Sequence, residues 1–233
     1  MIIGLLAVRR DQVALLSVYV IAGFIVAHVL TGTGRLNRLR ASVKPLAIAG
    51  VAATLLAALP VTATLLLAED SNRPEIGYEW AVAGSLHPVH LLQLAFADLY
   101  GAMSANDHYW APQSRIWDAA WGSPGLYLSE NMGLLYAGAL TFIVLLSFGM
   151  VRGLAWTKDI RFFSIAALLV LLYALGGYTP AFAAMYEMLP GVDLFRRPAD
   201  ASFVLVGLLS IIAGYLVHRW LSGTVPAPPP CRS

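Results

Sequence analysis

Charge is scarce in this sequence and cysteine is nearly absent. Asp, Glu, Lys and Arg make up 12% of the chain, about half the share usual in a soluble domain. The single cysteine, Cys231, sits in a Pro-rich tail. That excludes a disulfide within the chain, a cysteine-based metal centre and a cysteine nucleophile. The net charge of +2 is too small for a nucleic-acid binder, and no basic face with interleaved aromatics is present. There is no Gly-rich phosphate loop, no Ser/His/Asp arrangement and no internal repeat. The opening "MIIGLLAVRRD" has its apolar stretch before its basic pair, the reverse of a signal peptide. It reads as the end of a span whose beginning lies upstream.

Long apolar blocks fill the space the charges leave; 59% of residues are hydrophobic. The pattern predicts an all-α integral membrane protein with about five spans of roughly 20 residues each. They are expected at 13–30, 46–68, 133–151, 162–177 and 203–221, in a single transmembrane bundle over residues 1–223. Pro60 is expected to kink the second span. Residues 224–233 read as a disordered Pro-rich tail.

Basic residues set the orientation. The 31–45 connection carries Arg35, Arg38, Arg40 and Lys44 and no acid, so it is expected in the cytoplasm. Alternation then puts 69–132 outside, 152–161 inside, 176–202 outside and the tail inside. Arg152, Lys158 and Arg161 obey the rule, and 69–132 holds eight acids against two arginines. Arg9 and Arg10 go against it.

The outer segments carry the candidate chemistry. Stretches 88–101 and 178–190 are expected to be amphipathic helices lying on the outer surface. The Trp- and Tyr-rich stretch between Gly101 and Met132 suits a carbohydrate or headgroup surface, or an aromatic belt. Arg196 and Arg197 stand just before the last span. Guanidinium grips phosphate through paired hydrogen bonds, so they are candidates for a lipid-linked phosphate. The alternative is that one of them pairs with Asp193 or Asp200 and anchors the span. His87 and His90 are three residues apart, with Asp98 two turns beyond, but His-x-x-His alone is a weak metal signal. Asp98, Asp107, Asp118 and Glu130 are the outer carboxylates available as a general base or for a divalent ion. Few charges fall within the spans, which speaks against an ion-coupled transporter.

Three runs, "SLHPVHLLQLAFADLYG", "YLSENMGLLYAGALTFIVLL" and "LLYALGGYTPAFAAMYEMLPGVDLFRRPADASFVL", resemble the bacterial YfhO-like membrane proteins of the GT-C glycosyltransferase class. The resemblance covers about 78–221. It implies a multi-pass protein of the bacterial cytoplasmic membrane that takes a sugar from a polyprenyl-phosphate carrier on the extracytoplasmic side. On this resemblance Arg196 takes the place of the arginine in Phe-Arg-x-Pro, and His87 and Glu130 fall on the outer loop. Asp200 stands where a further arginine is expected. Inverting transfer needs a carboxylate to deprotonate the acceptor, with Asp98 and Asp107 as candidates. It also needs a cation, arginine or Mg2+ or Mn2+, to stabilise the leaving phosphate. Substrate contacts are expected from Arg196, Arg197, His87, His90 and Glu130. The chain reads as a C-terminal fragment, inactive alone, whose partners are the bilayer, the carrier, and an N-terminal part or other envelope-assembly proteins. The alternatives are a non-catalytic scaffold of envelope polysaccharide assembly, or a transporter or flippase.

Overall fold

The computed structural model describes residues 12–31, 34–69, 77–101, 110 and 135–224. Every regular element among them is helical, as expected for an apolar chain that must satisfy its backbone hydrogen bonds internally. Helix α1, Gln12–Thr31, has 20 residues and is about 30 Å long, the thickness of a bilayer's hydrocarbon core. Helix α2 runs from Arg35 to Glu69. It starts well before the expected 46, so Arg35, Arg38, Arg40 and Lys44 stand on its first turns and not on a loop. Arg and Lys are good helix formers, and Gly34, at φ 75°, makes the turn that precedes them. The guanidinium of Arg38 reaches back to the His28 carbonyl, 3.5 Å away, near the end of α1. Both Pro45 and Pro60 lie within α2.

Helix α3 begins as Ala139–Val144 and widens into a π-helix, Leu145–Val151. Helix α4 is Arg161–Ala174, α5 is Pro180–Met188 and α6 is Ser202–Leu221. Three helical segments are long and apolar enough to cross a membrane: Gln12–Thr31, Arg35–Leu59 and Pro198–Leu221. This is a membrane protein by that measure. The two other expected spans coincide with shorter apolar helices, Ala139–Val151 and Arg161–Ala174. At 14 residues, α4 is about 21 Å long. Of the two expected surface helices, α5 is an α-helix with Pro180 in its first turn. The other is not: Pro88–Leu94 is a 3-10 helix, and turns follow it to Tyr100.

The chain divides into two compact units: Met1–Ala81 with Tyr186–Arg196, and Val82–Met185 with Arg197–Ser233. In the first, α1 packs on α2. The Tyr19 hydroxyl donates to the Pro190 carbonyl at 2.5 Å, and the rings of Tyr78 and Tyr186 meet edge to face at 5.5 Å. None of the Arg35–Leu59 segment is buried by protein, and Leu55, Leu56 and Leu59 are each over 70% exposed. Burying a leucine is worth about 1.5–3 kcal/mol, so this continuous apolar face calls for a lipid or protein cover.

In the second unit, α4 packs chiefly on α6. Ala166, Ala167, Val170, Tyr173 and Ala174 form the buried stripe of α4, against Leu205, Leu208, Ile212, Ala213 and Leu216 of α6. Alanines let two helices approach closely. On α3, Gly149 meets α6 in the same way; a Cβ there would stand 3.3 Å from Leu216. Since α4 and α6 run in opposite directions, the unit has two distinct ends. One gathers residues 82–100, 174–179 and 197–201. The other gathers 152–161 and 215–224.

Candidate functional site

The first of these ends is held by close backbone contacts. As α4 finishes, the Ala174 carbonyl accepts the Leu86 N–H at 2.9 Å. Ser85 then bridges two segments: its hydroxyl accepts the Gly177 N–H at 2.8 Å and donates to the Val82 carbonyl at 2.6 Å. Ser85 and Leu86 are buried. Gly176, at φ 52°, lies so close that a Cβ there would stand 2.1 Å from the Ser85 hydroxyl. The same Cβ would be 3.1 Å from Pro198. Across the cluster, a Cβ on Gly84 would come within 2.5 Å of the Arg197 Cα. Three segments remote in sequence therefore interlock at Gly84–Ser85, Gly176–Gly177 and Arg197–Pro198.

Arg197 is in the left-handed region, at φ 70° and ψ 69°. A side chain there costs about 1–2 kcal/mol, and such strain persists only where surrounding contacts hold it. Here the Arg197 carbonyl accepts the Asp200 N–H at 3.0 Å, and its guanidinium pairs with the Asp200 carboxylate at 3.3 Å. The ion pair of the alternative reading is thus present, between Arg197 and Asp200. Arg196 is exposed and belongs to the first unit.

His87, His90 and Gln93 form a row beside this cluster. Residues three apart eclipse one another on a 3-10 helix, and the His87 and His90 ring centres lie 6.2 Å apart. His87 caps the helix, its Nδ1 accepting the Val89 N–H at 3.2 Å. Its ring meets Tyr178 edge to face at 5.1 Å. His90 is buried, 5.8 Å from the ring of Tyr100. The Tyr100 hydroxyl donates to the Val89 carbonyl at 3.0 Å, and Trp110 packs on the Tyr100 ring at 4.9 Å. The Gln93 amide oxygen is also buried and accepts no hydrogen bond from the described residues.

Burial, and after it the neighbouring His87, push His90 down to about 4. It is neutral at physiological pH and carries no charge for a phosphate. Its unfolded value is about 6.5. Between the two values the unfolded chain binds more protons, so this contribution is complete above pH 6.5 and is lost as pH falls toward 4. Thermal unfolding in detergent is expected to show stability dropping across that window by up to about 3 kcal/mol. His90→Gln should flatten that slope.

Of the remaining sequence-predicted residues, Asp98 is the one among the described residues, and it is not gathered here. Asp98 is exposed in a turn at φ 50°. It does not complete a metal site with His87 and His90: among the described residues no three His, Cys, Asp or Glu side chains converge to hold an ion. Asp107, Asp118 and Glu130 lie outside the described residues, as does most of the Trp-rich stretch.

No family model matches the chain, and no curated protein or solved structure does either. The site's description therefore rests on its geometry. Sequence reasoning missed Gly84, Ser85 and Gly176, the residues that make the close approaches. The signal was modest: a Gly-Ser pair directly before His87-Pro88, and a Gly-Gly pair directly before Tyr178.

Proposed function

We propose that this chain is a membrane glycosyltransferase-like protein that binds a polyprenyl-phosphate-linked sugar at the extracytoplasmic face of the bacterial cytoplasmic membrane. One observation carries the proposal: two of the three runs that resemble YfhO-like proteins meet in one interlocked cluster, the first through Ser85–His87 and the third through Gly176–Tyr178 and Arg197–Pro198. Arg197 is pinned in a strained backbone by that cluster and by Asp200. Arg196, exposed and one residue earlier in the chain, is the residue assigned to the carrier's phosphate, as the Phe-Arg-x-Pro resemblance implies.

In inverting transfer, a carboxylate takes the proton of the acceptor hydroxyl and the freed oxygen attacks the anomeric carbon. The carrier phosphate leaves with charge that a guanidinium stabilises. Arg196 takes that last role. Asp98 and Asp107 remain the candidates for the base, and Glu130 for a further substrate contact. A second reading has an observation in its favour. Asp200, one of the two carboxylates that stand three residues from an arginine of the pair, is already paired with Arg197. A carrier-binding scaffold of envelope polysaccharide assembly would need no base.

Retention of a polyprenyl phosphate by the purified protein, compared with the uncharged polyprenol of equal length, tests the common core of both readings. Strong preference for the phosphate is expected, and equal retention would refute them together. Transfer of sugar to an acceptor separates the enzyme from the scaffold.

A further inference from the structure

The opposite end of the second unit carries an unmatched positive charge. Arg152, Lys158 and Arg161 are exposed on the 152–161 connection, and His218 and Arg219 lie in the last turn of α6. The one acid in these stretches, Asp159, accepts a hydrogen bond from the Tyr215 hydroxyl at 3.2 Å. That hydroxyl also stands 3.3 Å from the Thr157 hydroxyl. Arg219 reaches the Tyr215 hydroxyl at 3.4 Å and the Thr224 carbonyl at 3.0 Å. Among the described residues, none of the four Arg and Lys side chains is in an ion pair. Arg161 also opens α4, where the helix dipole is positive and a cation is unfavourable unless an anion offsets it.

Aromatic groups fix the depth of this end. Trp156 and Trp220 are each more than half exposed, as indoles are at the boundary between lipid tails and water. The Phe148 ring stands 5.0 Å from the Arg152 guanidinium and 6.1 Å from Trp220. The π-helix at Leu145–Val151 places Phe148 at this end of α3. Exposed indoles, apolar helix ends and uncompensated cations therefore occur together.

We propose that this end is a binding surface for anionic phospholipid, in which Arg152, Lys158, Arg161 and Arg219 take the headgroup phosphates while Trp156 and Trp220 lie against the upper acyl chains. The bound partner is the lipid itself, because the cations are grouped with the indoles and with apolar helix ends that a soluble phosphate would leave uncovered. This surface is separate from the motif cluster and does not depend on the carrier-binding proposal.

Tryptophan quenching by brominated lipids tests it. The full chain is reconstituted in vesicles that contain, at equal mole fraction, either a brominated anionic phosphatidylglycerol or a brominated zwitterionic phosphatidylcholine. At low salt the anionic lipid is expected to quench several-fold more strongly, and Trp156→Phe with Trp220→Phe should remove most of the difference. Each cation contributes about fivefold to local lipid preference. The combined Arg152→Gln, Lys158→Gln, Arg161→Gln and Arg219→Gln variant should therefore bring the ratio close to one. Roughly 0.5 M salt should do the same to the unaltered protein, since it shortens screening to a few ångströms. Equal quenching by the two lipids at low salt overturns the proposal. So does loss of the preference on adding glycerol phosphate, which would make the site one for a free phosphate.

Discussion

Gly84→Ala is expected to cost the second unit about 3 kcal/mol or more, one of the largest effects any single methyl can have in this chain. The new Cβ would stand 2.5 Å from the Arg197 Cα and 2.7 Å from its Cβ. The first is a backbone atom and cannot swing aside, so either segment 82–86 or the turn at Arg197 must move. Overpacking of this kind costs about 1–3 kcal/mol when side chains can yield, and loss of the strained turn adds to it. Gly176→Ala should be similarly severe for two reasons. Its φ of 52° disfavours a side chain, and its Cβ would fall 2.1 Å from the Ser85 hydroxyl that bridges to Gly177. Gly214→Ala is the control: it lies on α6 with nothing within 4 Å of its Cβ, and alanine is the better helix former by about 1 kcal/mol. Thermal unfolding in detergent should place the two cluster variants roughly 6–12 °C below the parent and Gly214→Ala at or above it.

Arg196→Ala is expected to lower retention of polyprenyl phosphate about 10- to 100-fold, the worth of about 1.5–3 kcal/mol in charge-assisted hydrogen bonds. Arg196→Lys keeps the charge but loses the planar fork, so it should recover only part of the affinity. Arg197 is expected to behave differently. Its guanidinium is committed to Asp200, and its backbone conformation is one that glycine adopts without cost. Arg197→Gly should therefore lose the ion pair, relieve the strain and leave carrier retention within a few-fold of the parent. A loss at Arg197 as large as at Arg196 would show that the phosphate is met by the pair.

Hydropathy alone located α1 and α6 to within a residue or so, because a fully apolar run of about 20 residues has few other conformations open to it. It placed the start of α2 too late. A basic stretch with Pro45 at its end looks like a connection, yet Arg and Lys propagate a helix well and Gly34 supplies the turn. Hydropathy overstated α3 and α4, since an apolar residue counts equally in any backbone state. Residues 135–138 are apolar but not helical, and Gly138, at φ 99°, marks where α3 begins. Beyond α4, Gly176 turns the apolar stretch into a 3-10 turn.

The candidate site was legible in part. The three-residue spacing of His87 and His90 was legible, and the 3-10 geometry turns that spacing into an eclipsed row. The Arg197–Asp200 pair was one of two stated alternatives. What spacing could not reveal is that Gly84 would touch Arg197, or Ser85 the start of the 176–178 turn. Each contact joins segments about a hundred residues apart, and only the packing of α4 on α6 brings them together.

Which way the second unit faces is tested most directly by labelling from one side of the membrane. With Cys231 replaced by Ser, single cysteines are placed at Ala97, exposed near the motif cluster, and at Lys158, exposed at the opposite end. In intact cells a membrane-impermeant maleimide should modify Ala97→Cys, and should reach Lys158→Cys only after permeabilisation. The reverse pattern would put the arginine-bearing cluster in the cytoplasm and contradict the proposed extracytoplasmic sugar transfer.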